Sequence, residues 1–201
     1  MGLESAYGIG SLKPGVCTSS TRPASPFTGQ TIYDTTVATT LVWNGTAWIG
    51  SGGKVLQIVS TTLTTPFTAT TISATIITGL TVSITPSSSS NKIYVSATIN
   101  GTNDVAVEGL YLHLQRDSTP IAVGTGGTTS NSSTALYEGT SREFTVANAS
   151  ITILDSPATT SAITYAIYGK HPTSATFYIN RTKYSSVDRF ASTITVMEIS
   201  A

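Results

Sequence analysis

Apolar and polar side chains alternate one by one along most of this chain, and a period of two admits a β-strand and little else. Ile93, Val95, Ala97 and Ile99 face one way, while Tyr94, Ser96, Thr98 and Asn100 face the other. Leu110, Leu112 and Leu114 alternate with Tyr111, His113 and Gln115. Ile163, Tyr165 and Ile167 repeat the pattern, as do Phe177 with Ile179 and Ile194 with Val196. The helical template fails: no window places apolar residues at i, i+3, i+4 and i+7 with good helix formers between them. The runs end in turn residues, at Asn100-Gly101, Arg116-Asp117-Ser118, Ser156-Pro157 and His171-Pro172. An all-β chain with an antiparallel, jelly-roll-like β-sandwich is the expected fold class.

Composition supports strands over disorder. Ser and Thr fill roughly a third of positions, yet Thr is β-branched and suits a pleated surface. The hydrophobic fraction is 39%, well above that of a disordered chain. Residues 55–91 carry no charge, but Pro66 and Pro86 interrupt them and no run reaches the ~18 apolar residues of a spanning helix. Membrane insertion is therefore not expected. Ten basic and ten acidic residues give zero net charge, leaving no field to gather nucleic acid. No apolar core follows Met1, which argues against a standard signal peptide.

Three regions are expected. Residues 1–22 read as an extended N-terminal arm, 23–52 as a small β-hairpin attachment module, and 53–201 as the distal β-sandwich of about eight to ten strands. Gly52-Gly53 reads as a hinge and Gly124 to Ser133 as a long tip loop. Asn44-Gly45 between Trp43 and Trp48 predicts a type I′ hairpin, because both central residues tolerate positive φ. The two Trp rings would cover a small core with Ile32 and Tyr33.

Little in the sequence speaks for catalysis. One Cys, at position 17, and two His exclude a Cys-based zinc site and give no support to a Cys–His pair. His113 falls on the polar face of its strand and reads as a surface residue, and His171, before Pro172 at a strand end, reads as a turn residue. Asp104 and Glu108 are the one carboxylate pair at a spacing that invites comparison with glycoside hydrolysis, and solvated charges explain them as well. No enzyme activity, cofactor or metal is expected. The best contact candidate is the late cluster Tyr178, Asn180, Arg181, Lys183, Tyr184, Asp188 and Arg189, which mixes rings, an amide and both charge signs. It suits either a host polysaccharide or another subunit.

The residues also carry a resemblance. Arg22-Pro23-Ala24-Ser25-Pro26-Phe27-Thr28-Gly29-Gln30-Thr31-Ile32-Tyr33-Asp34-Thr35-Thr36, with Trp43-Asn44-Gly45-Thr46-Ala47-Trp48 after it, resembles a short β-module of bacteriophage structural proteins, tail fibres above all. The opening Met1-Gly2-Leu3-Glu4-Ser5, followed by Tyr7, Ile9, Ser11 and Leu12, is similar to the start of tail-fibre-like proteins. Lys54 to Ser60, Ser83 to Ile93 and Ser192 to Ile199 are similar to distal fibre domains of marine and cyanobacterial phages. Related modules occur in capsid decoration proteins. The family's long segment after the opening is missing, since the Arg22-Pro23 module follows within about ten residues.

The resemblance implies a virion protein made in the bacterial cytoplasm. It implies a homotrimer attached to tail or capsid through residues 1–50, acting as a host-adhesion fibre, with capsid decoration as the alternative and a glycan depolymerase as a remote third. Charge scarcity alone supports the coarser expectation of an oligomer or a chain attached to a larger body. A compact 20.9 kDa monomer exposes roughly 9,000 Å². Twenty charges are a thin coat for it, and six of them cover the first 103 residues.

Overall fold

A computed structural model describes residues 15–50, 54–105, 108–127, 131–137, 145–184 and 188–201. The described residues form fifteen strands and no helix, in two compact units that divide at Lys54 and Val55. The expected Gly52-Gly53 hinge lies outside the described residues.

The first unit is a four-stranded sheet in the order β1 (Gly15–Cys17), β2 (Thr31–Asp34), β3 (Thr39–Trp43), β4 (Trp48–Gly50). Its first strand corrects the expectation of an arm over residues 1–22. Residues 15–17 run parallel to β2, with Gly15 opposite Ile32. Asp34, fully buried, then ties residues 19–22 down, accepting bonds from Arg22 Nε at 2.6 Å and Ser19 Oγ at 2.9 Å. Burial would raise the Asp34 pKa, but the bonds from Arg22, Ser19 and the Thr36 and Val37 amides outweigh it and hold the carboxyl below its ordinary range. Residues 1–14 lie outside the described residues.

The hairpin is also built differently from the type I′ expectation. Trp43 pairs with Trp48, so the loop has four residues, and only Gly45 of the two central candidates has positive φ, at 100°. The Asn44 side chain closes it instead, its Oδ1 accepting from the amides of Thr46 at 2.9 Å and Ala47 at 2.8 Å. An Asn side chain can imitate a backbone turn in this way without leaving its ordinary φ. The two rings meet edge to face at 5.5 Å. Ile32 and Leu41 form the buried core beneath, whereas Tyr33 is exposed rather than part of it. Gly45→Val is expected to cost the module about 1–2 kcal/mol, because a β-branched residue there is strained. Limited proteolysis should then cut residues 15–50 faster while the sandwich persists.

The second unit is the sandwich. One sheet follows the order β7 (Thr75–Ile84), β13 (Ile163–Lys170), β9 (Gly109–Arg116), with β10 (Thr119–Ile121) and β11 (Thr134–Tyr137) both pairing with β9. The β10 partners are Leu114 to Arg116 and the β11 partners Gly109 to Leu112, on the edge that β13 leaves open. They are one strand interrupted by residues 122–133.

The other sheet is built in the same way. β8 (Lys92–Asn103) carries β12 (Ala147–Asp155) on one edge. On its other edge lie β15 (Ser192–Ile199) and, further along, β14 (Thr176–Ile179). Beyond these come β5 (Val55–Leu63) against β15 and β6 (Phe67–Thr70) against β14. Joining the interrupted pairs β5/β6, β10/β11 and β14/β15 leaves eight strands, ordered 1-8-3-6 in one sheet and 2-7-4-5 in the other, all neighbours antiparallel.

The apolar halves of these strands meet between the sheets. Ile93, Val95, Ala97 and Ile99 from one sheet pack with Leu110, Leu112, Leu114, Tyr165 and Ile167 from the other. Burying each such side chain contributes about 1.5–3 kcal/mol. The expected turn at Asn100-Gly101 does not form: β8 runs through it to Asn103. Gly101 is used for closeness instead, since a Cβ there would meet the Tyr178 carbonyl at 3.0 Å.

Candidate functional site

The late cluster forms where β14 breaks off before β15. Tyr178 alternates outward between buried Phe177 and Ile179, which places its ring on the solvent face of the sheet. The chain then turns back over that face. The Arg181 guanidinium lies 5.3 Å from the centre of the Tyr178 ring, and Lys183 Nζ lies 4.8 Å from that of Tyr184. Arg181 also donates to the carbonyls of Thr182 and Lys183, and Lys183 to the Asp104 carbonyl at 3.3 Å. The Tyr184 hydroxyl holds the Lys183 ammonium protonated more firmly than usual. Four side chains of the cluster thus form two braced ring–cation pairs, with Tyr184 more than half exposed.

Asn180 does not belong to that surface. It is fully buried with φ at +60°, and the positive φ turns its side chain inward where alternation would aim it outward. Its Nδ2 donates to the Leu63 carbonyl at 2.6 Å and its Oδ1 accepts from Ser192 Oγ at 2.6 Å. Ser192 Oγ in turn accepts from the Asn100 amide at 3.0 Å. Asn180 therefore closes the neck of the 180–191 excursion and spans the break between β5 and β6. Arg189 is exposed and donates to the Asp188 carbonyl at 2.8 Å, within its own stretch of chain.

The His113 expectation changes, while His171 follows the end of its strand as expected. His113 lies on the outer face as alternation requires, but it is buried, and burial followed by the nearby Lys170 lowers its pKa below 6.5. His171 is fully buried after β13, with Nδ1 2.9 Å from the Thr173 carbonyl oxygen and 3.5 Å from the Glu108 carboxylate. Asp104 and Glu108 serve the fold separately. Asp104 accepts from the Thr176 amide at 2.9 Å, and Glu108 accepts from Thr173 Oγ1 at 2.7 Å. Among the described residues, no three His, Cys, Asp or Glu side chains gather as a metal site. Cys17 is a free thiol on β1.

Two polar stations, one of them buried, were not expected from the sequence. Glu198 sits inward at the end of β15, taking bonds from Gln57 Nε2 at 2.6 Å, Asn91 Nδ2 at 2.6 Å and the Ser87 amide and hydroxyl at 2.7 Å each. All four donors are neutral. Burial opposes the charge, but the bonds prevail and bring the Glu198 pKa down to about 2. Its parity with Ile194 and Val196 was the available signal. Across the sandwich, Asp155 on β12 takes both oxygens to Arg116 Nη1, at 2.9 and 2.7 Å, and accepts from the buried Tyr165 hydroxyl at 2.6 Å. That trio ties the two sheets together.

No protein-family model matches the chain, and no curated protein matches it either.

Proposed function

We propose that this chain is a structural protein of a bacteriophage virion, a homotrimeric tail fibre that binds the host surface. Residues 1–50 attach it to the particle, and the sandwich presents the Tyr178–Arg181–Lys183–Tyr184 surface to host polysaccharide. The observation that carries this reading is where the polar groups have gone. Asp34, Asp155, Asn180 and Glu198 are all committed to holding strands or loops, and the groups left outward form a contact surface. Tyrosine rings beside cations offer sugars a stacking face and hydrogen-bond donors. The interleaved order 1-8-3-6 and 2-7-4-5 reads as a jelly roll, an architecture used by capsid and lectin domains. The resemblance of the Arg22–Thr36 stretch and of the chain's opening to fibre proteins supports the virion setting.

Localisation on phage particles tests this first. Immunogold or cryo-electron microscopy should find the protein at the tail, in threes. Copies spread over the head would replace the fibre with a capsid decoration protein, and reducing ends released from host glycan would replace both with a depolymerase. The contact surface has its own test. Tyr178→Ala with Tyr184→Ala should keep the fold, since neither ring enters the core, yet weaken cell adsorption at least tenfold, a loss of about 1.4 kcal/mol. Undiminished adsorption would remove polysaccharide binding from this surface.

A further inference from the structure

The outer face of the β5–β15–β8–β12 sheet presents a pattern that neither solubility nor ligand binding explains. Strand register places Ile58 opposite Met197, Met197 opposite Tyr94 and Tyr94 opposite Leu154, an apolar row crossing all four strands. Ile58 is 60% exposed and Leu154 59%. The next two rows, through Thr195 and Thr193, contain only Ser and Thr. No charged side chain stands in these three rows.

The polar groups bordering the apolar row are also partly spent on one another. Ser60 Oγ and Thr195 Oγ1 bond at 2.8 Å on one side, Lys92 Nζ donates to Ser156 Oγ at 2.7 Å on the other, and Asn148 Nδ2 donates to Asn100 Oδ1 at 3.0 Å at the far end of the face. Ser and Thr hydroxyls both donate and accept, so the same rows on a second copy can satisfy them when the face is covered. Within the three rows a charged ligand finds no counter-charge, whereas a flat neutral surface fits them.

We infer that this sheet face is buried against a neighbouring copy of the same chain, with the Ile58–Met197–Tyr94–Leu154 row at the centre of the contact. Area agrees. Four strands and about nine residues of length give a face of roughly 19 by 30 Å. That is a footprint on the order of 600 Å² before side-chain relief is added, against about 800 Å² per partner in a standard interface. Twenty charged side chains share 11115 Å² of surface in the single chain, and the contact removes the part with none.

The inference rests on the self-assembling reading above, and one experiment separates the two. Sedimentation of the full chain at tens of micromolar should give a multimer, and Met197→Lys with Leu154→Lys should give a monomer whose dissociation constant is raised at least a hundredfold. Both side chains point away from the core, and circular dichroism should show an unchanged sheet. Leu154→Ser, which adds no charge to the sheet, should weaken assembly about tenfold and serves if the double variant misfolds. A wild-type dimer would sink the trimer and leave this contact standing. Variants that assemble like the wild type overturn the contact while self-assembly stands, and a wild-type monomer overturns both. Intact assembly with lost cell adsorption would give the face to host glycan instead and overturn the inference.

Discussion

Asn180→Ala is expected to remove about 3–5 kcal/mol of folding stability from the sandwich, the largest effect of any single substitution at the late cluster. Two buried partners lose their bonds at once, the Leu63 carbonyl and the Ser192 hydroxyl. Each stranded group costs about 1–3 kcal/mol, and Ala at φ +60° adds about 1 kcal/mol of backbone strain. Asn180→Gly separates the two contributions, because Gly relieves the strain and leaves the partners stranded. It should recover about 1 kcal/mol relative to Ala. Urea denaturation followed by far-ultraviolet circular dichroism reads both. A midpoint unchanged from wild type would mean that Asn180 carries no structural load and returns it to the contact surface.

Acid should destabilise the protein through Glu198 in a defined window. Its folded pKa of about 2 lies below the ordinary 4.5, so the unfolded chain takes up the proton first. The stabilisation is therefore complete above about pH 4.5 and is lost as pH falls toward about 2. The amount is about 3 kcal/mol, set by neutral donors that a protonated carboxyl satisfies poorly. Glu198→Gln should cost about 2–3 kcal/mol at neutral pH, because its amide turns a donor toward donors, and should flatten the acid loss. Asp34 titrates in the same direction in the other unit, so the difference between wild type and variant isolates Glu198. Parallel acid curves for the two proteins would exclude Glu198 as the source.

The strands were legible because alternation records burial directly. Ile93 to Ile99 and Leu110 to Leu114 face the core as their parity requires. Even Asp34 and Glu198 were readable, as charged residues at the inward parity of Ile32 and of Ile194 with Val196. What alternation cannot carry is a change of backbone hand. Asn180 follows Ile179 at an outward parity, and a single positive φ reverses it. Long-range cover is equally silent in sequence. His113 stands at an outward position, yet it is buried. The Asn44 turn misled for a different reason: the same residue favours a left-handed turn and a side-chain-closed loop, and the dipeptide alone does not choose. Of the contact candidates, Arg181 covers the outward Tyr178 ring and Lys183 sits against Tyr184, whereas Asn180 becomes the peg that holds their loop in place.

Two strands of the sandwich resume after an absence, β10 as β11 and β14 as β15, each in register with the same neighbour it left. The returns are fastened locally. Ser133 bonds the Leu112 carbonyl and Leu114 amide at one, and Asn180 and Ser192 grip Asn100 at the other. The two fasteners hold the frame at each return. Lengthening either detour costs only a logarithmic entropy, about 0.6 kcal/mol per doubling. Such a scaffold can exchange the contents of its detours while its frame is inherited intact, which would suit the host-binding role proposed above.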